Sequence, residues 1–301
     1  MPHRVSAVDA AAAGLFALAM ALAIAGCGTK TRVTAPIAGL PASDSAPSWS
    51  LDGSRIAYAH TSGTVESADR AGIYLADTLG GTPVHILTGS YSYPDWSPDG
   101  RHLAVTGGGI FVITATGDSL TRLSSAIGYD VKWSPDGSTL AYETYDSTNV
   151  YRLWLMASDG TRVRAMNAWG SDSWFEPDWS PDGSRLAHVR SGGWITEPEV
   201  FVMDTTGFGV RRLTNDGFED RYPAWSPDGQ WIAWGSWHGE TAELWLMKSD
   251  GTGARKLTNG LWPEWAPDSR HIAYTAADAW NGTYRLFTID CLTGGVRQIT
   301  H

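Results

Sequence analysis

One five-residue signature, Trp-Ser-Pro-Asp-Gly, recurs along the chain and limits what it can fold into more than any other feature. It is complete at residues 96–100, 133–137, 179–183 and 225–229, and varied as Trp49-Ser50-Leu51-Asp52-Gly53 and Trp265-Ala266-Pro267-Asp268-Ser269. The six tryptophans are 37 to 47 residues apart, the length of four short strands with their turns. An alanine stands eight residues after each of them, at Ala57, Ala104, Ala141, Ala187, Ala233 and Ala273, always behind an isoleucine or leucine. Units close on segments such as Arg211-Arg212-Leu213-Thr214 and Arg297-Gln298-Ile299-Thr300.

Ser-Pro-Asp-Gly is turn chemistry. Proline presets φ near −65°, Asp and Ser accept backbone N–H bonds, and glycine takes a positive φ without a Cβ clash. Each signature therefore joins an inner strand A, running through the tryptophan, to a strand B such as residues 230–234. Strand C follows, at residues 72–77, 151–156, 199–204 and 243–248, and then an outer strand D. The composition agrees: 34 Gly and 15 Pro in 301 residues disfavour long helices, and 43% hydrophobic residues suffice for a large core. A lone four-stranded sheet cannot bury both faces, but six around an axis bury them all, with large Trp set against small Ala. The expected fold is all-β, a six-bladed propeller over residues 46–301. The first A strand is expected near Ala46, and closure joins two complete blades unless residues 32–38 add a strand.

The W-S-P-D-G, I/L-A-aromatic and R-x-L-T elements resemble the PD40, or WD40-like, propeller repeats of TolB. The resemblance spans about residues 46–301 and implies the propeller fold. It says less about function, because similar repeats occur in propeller domains of prolyl-oligopeptidase-type peptidases and, more distantly, in oligogalacturonate lyases. Two departures count against a literal Tol-Pal role: no α/β segment precedes the repeats, and the leader points to a lipid anchor.

That leader is an apolar run at residues 10–26 behind His3 and Arg4, short for a membrane span and suited to a signal peptide. It closes on Ile24-Ala25-Gly26-Cys27, which resembles a bacterial lipobox, in which the cysteine becomes acylated after cleavage. Residues 1–26 are thus expected as a lipoprotein signal peptide, Cys27 as the lipidated residue and residues 27–45 as a flexible tether. In such lipoproteins an aspartate after the cysteine favours the inner membrane. Gly28 stands here instead, which implies an outer-membrane address facing the periplasm if the cell has two membranes. The other cysteine, Cys291, is then left without a disulfide partner and reads as a small buried hydrophobe.

A formal charge of −10, from 22 basic and 32 acidic side chains, removes the attraction to phosphate on which nucleic-acid binders rely. The signature residues are explained by turns and packing, so function is expected on the opposite face, where the D-to-A and B-to-C loops meet the channel. That face carries Tyr91 and Tyr93, Trp169, Trp174, Phe175 and Glu176, Trp194, Phe218, Glu219, Asp220 and Arg221, Trp237 and His238, Trp262 and Trp280. Mixed aromatic and polar surfaces bind proteins, peptides or sugars. Unit two contributes least, its B-to-C connection being only Gly107-Gly108-Gly109, so the face should lean toward units three to five.

Asp95, Lys132, Asp178 and Glu264 directly precede motif tryptophans and border the channel. They read as solvated charges partly offset by Lys132, and no metal or other cofactor is expected. No G-x-S-x-G nucleophile elbow is present, residues 235–239 having the wrong spacing, and no H-E-x-x-H or H-x-x-E-H pattern occurs. His60, His188 and His238 fall near the loop face, where convergence on a carboxylate would favour a lyase-like site. The sequence thus predicts a monomeric, non-catalytic propeller that binds a protein or peptide in the cell envelope, with a carbohydrate-binding or lyase-like propeller as the alternative.

Overall fold

The computed structural model describes residues 43–61, 71–148, 150–166, 171–193, 195–239, 241–277 and 283–300. The leader, Cys27, most of the expected tether, Trp169, Trp194 and Trp280 lie outside them. Six consecutive four-stranded antiparallel sheets form blades 1 to 6: β1–β4 (residues 43–88), β5–β8 (92–124), β9–β12 (128–165), β13–β16 (173–212), β17–β20 (219–259) and β21–β24 (261–298). Their innermost strands, β1 (Ser43–Trp49), β5 (Ser92–Trp96), β9 (Gly128–Trp133), β13 (Ser173–Trp179), β17 (Glu219–Trp225) and β21 (Leu261–Trp265), contact one another in a closed ring, β21 meeting β1. No helix occurs among the described residues.

The turns form as their chemistry dictates. In each complete signature the serine hydroxyl donates to the aspartate two residues on, at 2.5–2.6 Å. The glycine sits at φ of 68–71° and donates its N–H to the serine carbonyl. In the last unit Ser269 adopts φ 54° instead, and its hydroxyl accepts the N–H of Asp228 in the neighbouring turn, at 3.0 Å.

Packing between blades repeats one contact. Trp96 packs in one cluster with Ala57 of the preceding blade, Trp133 with Ala104, Trp179 with Ala141, Trp225 with Ala187, and Trp265 with Ala233. Trp49 against Ala273 repeats it across the seam. All six alanines are fully buried, because a larger side chain there would displace the indole.

The seam is closed without a shared strand among the described residues. Trp49 Nε1 donates to the Glu264 carbonyl at 3.1 Å. β1 starts at Ser43, inside the stretch read from sequence as tether, and Asp44 is 2% exposed. Its oxygens accept from His60 Nδ1 at 2.7 Å and from the Thr300 hydroxyl of blade 6 at 2.6 Å. Polar Ser-Asp-Ser carries no strand alternation, and pairing with residues 59–61 of its own blade together with the Thr300 bond across the seam holds it in the sheet.

Candidate functional site

Every inner strand carries the same distortion three residues before its tryptophan. Ala46, Tyr93, Asp130, Glu176, Tyr222 and Trp262 have φ between 42° and 56°, and the ladder register shifts there in every blade. Left-handed backbone costs a non-glycine residue about 1 kcal/mol. Six copies of it persist because the surroundings compensate. Pro47, Pro94, Pro177, Pro223 and Pro263 follow, and a proline leaves no N–H to orphan. Glu143 Oε2 accepts the Glu176 N–H at 2.5 Å, and Glu176 Oε2 accepts that of Tyr222 at 2.8 Å. These bulges turn one side chain per blade toward the axis, where most line the central cavity with Lys132 and Glu264. That cavity has room for water among its polar lining.

The carboxylates next to the motif tryptophans are already engaged. Asp95 accepts the Trp133 N–H and Asp178 that of Trp225, both at 2.7 Å, while the Ser48 hydroxyl accepts that of Trp96 at 3.2 Å. Each thereby pins the next blade. Lys132 Nζ lies 2.8 Å from Glu264 and 3.5 Å from Asp95. Burial pushes the Asp95 carboxyl up to about 6 and that of Asp130 to about 7, against the opposing pull of Lys132. Burial also raises Glu143 and Asp178 well above the usual range. Burial alone would lower the Lys132 ammonium, but Glu264, Asp95, Asp178 and Asp130 hold it well above its ordinary value. Asp130 and Glu143 escaped the sequence reading, although Asp130 stands at the same offset as Glu176.

The outer rim combines several of the residues singled out from sequence, but fewer on loops than expected. Phe175, Glu176 and Asp220 are buried within β13 and β17. Glu219 and Arg221 are half-buried on β17, and Trp237 and His238 end β18 (Trp231–His238). The bulges and their prolines hide the strand alternation, so the strands extend further than the sequence suggests. Arg221 is the organiser: its guanidinium pairs with Glu176 across the blade 4–5 interface at 2.5 Å and covers the Phe175 and Tyr222 rings at 5.1 and 5.0 Å. Tyr222 continues to Trp262 at 5.1 Å and Trp237 at 6.2 Å. Trp174 stacks on His188 at 5.0 Å beneath Arg190. Phe218, 37% exposed, stacks on His238 at 3.8 Å, and His238 on Trp245 at 5.4 Å. Tyr93 is half-buried in the channel, while Tyr91 packs edge-on against Phe111. The rim leans toward blades 4 to 6, and Gly107-Gly108-Gly109 links β6 (His102–Thr106) to β7 (Ile110–Thr114) with no side chain to offer.

The three histidines do not converge. His60 belongs to the seam, His188 is enclosed in blade 4, where burial pushes its pKa down to about 3, and His238 sits in the blade 5 stack. Cys291 is half-buried after β23 (Tyr284–Asp290), and burial pushes its thiol up to about 11.

A closed ring of six four-stranded antiparallel blades defines the fold as a six-bladed β-propeller. The model of the TolB beta propeller domain family matches residues 132–301, and the chain belongs to that family. It is 26% identical over 199 residues to an uncharacterized protein of Agrobacterium fabrum, covering 63% of this chain and 67% of that one. A match of 44% identity over 62 residues to the Tol-Pal system protein TolB of Alcanivorax borkumensis covers 20% of this chain and only 13% of TolB. Among solved structures, TolB from Acinetobacter baumannii superposes with a TM-score of 0.68 at 19% identity, over 78% of this chain and 61% of that one. An oligogalacturonate lyase in complex with manganese superposes at 0.57 and 15% identity, over 84% and 75%. At these identities both likenesses are of fold.

Proposed function

We propose that the chain is a non-catalytic binding propeller of the bacterial cell envelope, taking a protein or peptide partner on the rim of blades 4 to 6. The observation that carries this reading is the set of rim aromatics that reach solvent, Trp174, Phe218, Trp237 and Trp262, around a core of Phe175, Arg221 and Tyr222. Aromatic side chains supply large contact area at low entropic cost, and such anchors dominate protein interfaces. Membership of the TolB propeller family supports a partner-binding role. A lyase-like role loses support, because His60, His188 and His238 each pack within their own surroundings.

A pull-down from envelope extracts tests the rim. The Trp174→Ala, Phe218→Ala, Trp237→Ala variant is expected to lose partners that the native protein retains, and identical profiles would remove this face from consideration. In the same reading the protein is exported and held by acylated Cys27 on the outer membrane, facing the periplasm if the cell has two membranes. Cys27→Ser is expected to shift it from the membrane pellet to the soluble fraction. Unchanged sedimentation would contradict lipidation.

A further inference from the structure

The interface between blades 4 and 5 holds a second acidic group, separate from the channel. Glu199 on β15 (Ile195–Asp204), Asp216 in the connection to blade 5 and Asp220 on β17 each offer a carboxylate oxygen, all within 4.8 Å of one another. Glu199 and Asp220 are 1% and 0% exposed, and Asp216 faces solvent. Asp220 Oδ1 accepts the Trp234 indole N–H at 3.0 Å, but its Oδ2 is buried without a well-formed hydrogen bond. The Ser236 hydroxyl, opposite Asp220 across the ladder, likewise makes no well-formed hydrogen bond, although it and the Thr214 hydroxyl lie near enough to oppose the burial that pushes the Asp220 carboxyl up to about 7.

The propeller's own pseudo-symmetry says what this place lacks. Asp44 at the seam is the counterpart of Asp220, each five residues before its motif tryptophan. Thr300 is the counterpart of Thr214: their hydroxyls accept the N–H of Leu286 and Val200, both at 3.0 Å. Arg285 and Glu199 precede those residues in turn, and His60 and Ser236 are the ladder partners of the two aspartates. At the seam both Asp44 oxygens are satisfied, and Arg285 Nη1 lies 3.9 Å away. Between blades 4 and 5 the arginine's place is taken by Glu199 and the histidine's by Ser236. Thr214 turns its hydroxyl to Glu199, at 2.7 Å. Arg212 balances Glu199, at 2.5 Å, which leaves Asp216 and Asp220 as two uncompensated carboxylates.

We infer that this interface binds a divalent hard cation of the calcium type, held by the carboxylates of Glu199, Asp216 and Asp220 with the Ser236 hydroxyl in reach. Two oxygens on one calcium ion, at about 2.4 Å each, are separated by at most about 4.8 Å, and calcium takes such oxygen sets in flexible geometry. The ion stands where Arg285 supplies positive charge at the seam. It also fastens residues 216–220, the segment that presents Phe218 at the rim.

The test uses the folded chain stripped with EDTA and titrated with CaCl₂ alone, followed by calorimetry and thermal unfolding. Native protein is expected to bind one ion and to gain roughly 5 °C at saturation. Asp220→Asn, an isostere able to donate to Ser236, should fold and lose both signals. Asp216→Asn, at an exposed position whose amide oxygen still caps the Phe218 N–H, should bind at least about tenfold more weakly. Native protein without heat of binding or a melting shift overturns the inference, as does an Asp220→Asn variant that responds like the native chain.

Discussion

Replacing Asp44 with alanine is expected to lower the thermal unfolding midpoint by roughly 6–12 °C, the equivalent of about 3 kcal/mol, read by circular dichroism at pH 7. Five of the six blade interfaces join sheets that follow one another in the chain. The seam joins the first to the last, so its closure must overcome the entropy of a loop spanning the whole ring. No strand is shared across it among the described residues; it is held by the apolar cluster of Trp49, Ile56 and Tyr58 with Ala273, Leu286 and Ile299, by the indole bond to Glu264, by the Arg297 bond to the Leu79 carbonyl and by the Asp44 latch. Alanine would strand the Thr300 hydroxyl and the ring of His60, whose Nε2 already lacks a partner, inside the fold. Thr300→Val should cost less, about 2 kcal/mol, because it removes a neutral hydroxyl that donates to Asp44 and accepts the Leu286 N–H. Equal melting of native protein and the Asp44→Ala variant would show that the seam is held by packing alone.

Lys132→Met is expected to destabilise the fold by about 3 kcal/mol at pH 8 and by about 1 kcal/mol at pH 5. Methionine keeps the volume and removes the cation shared by Glu264 and Asp95 and felt by Asp130 and Asp178. The sign follows from the raised carboxyls. Between about pH 4 and pH 7 the folded state keeps protons on Asp130 and Asp95 that the unfolded chain has released, so stability is lost as pH rises through that window. His188 acts oppositely below its ordinary pKa, since burial holds it near 3. Two or more carboxylates outweigh one imidazole, and the native protein itself should be more stable at pH 5 than at pH 8 by about 2 kcal/mol. Denaturant titrations of both proteins at the two pH values decide the matter. A deficit in the variant that does not shrink at pH 5 would mean that the lysine acts by packing.

The repeat unit was legible in the sequence because its signals are short-range. Trp-Ser-Pro-Asp-Gly specifies its own turn, and the alanine eight residues on names the packing partner of the next unit's indole. The inner-strand starts were harder to read. A left-handed residue followed by proline resembles a loop, so the sequence puts Phe175, Glu176 and Asp220 on an exposed face although they are buried, and Trp237 on a loop although it belongs to β18. Asp44 looked like part of a tether for the same reason.

What the sequence alone determined is the unit and its number, since each depends on residues within one turn or one hairpin. Only the tertiary structure decided how the charges are answered. Lys132 meets Glu264 from 132 residues away and Thr300 meets Asp44 from 256. Likewise Glu176 meets Arg221, and Glu199 meets Asp220, only once blades 4 and 5 are pressed together. A carboxylate's fate depends on the groups within a few ångströms of it, and in a closed ring those groups come from distant parts of the chain.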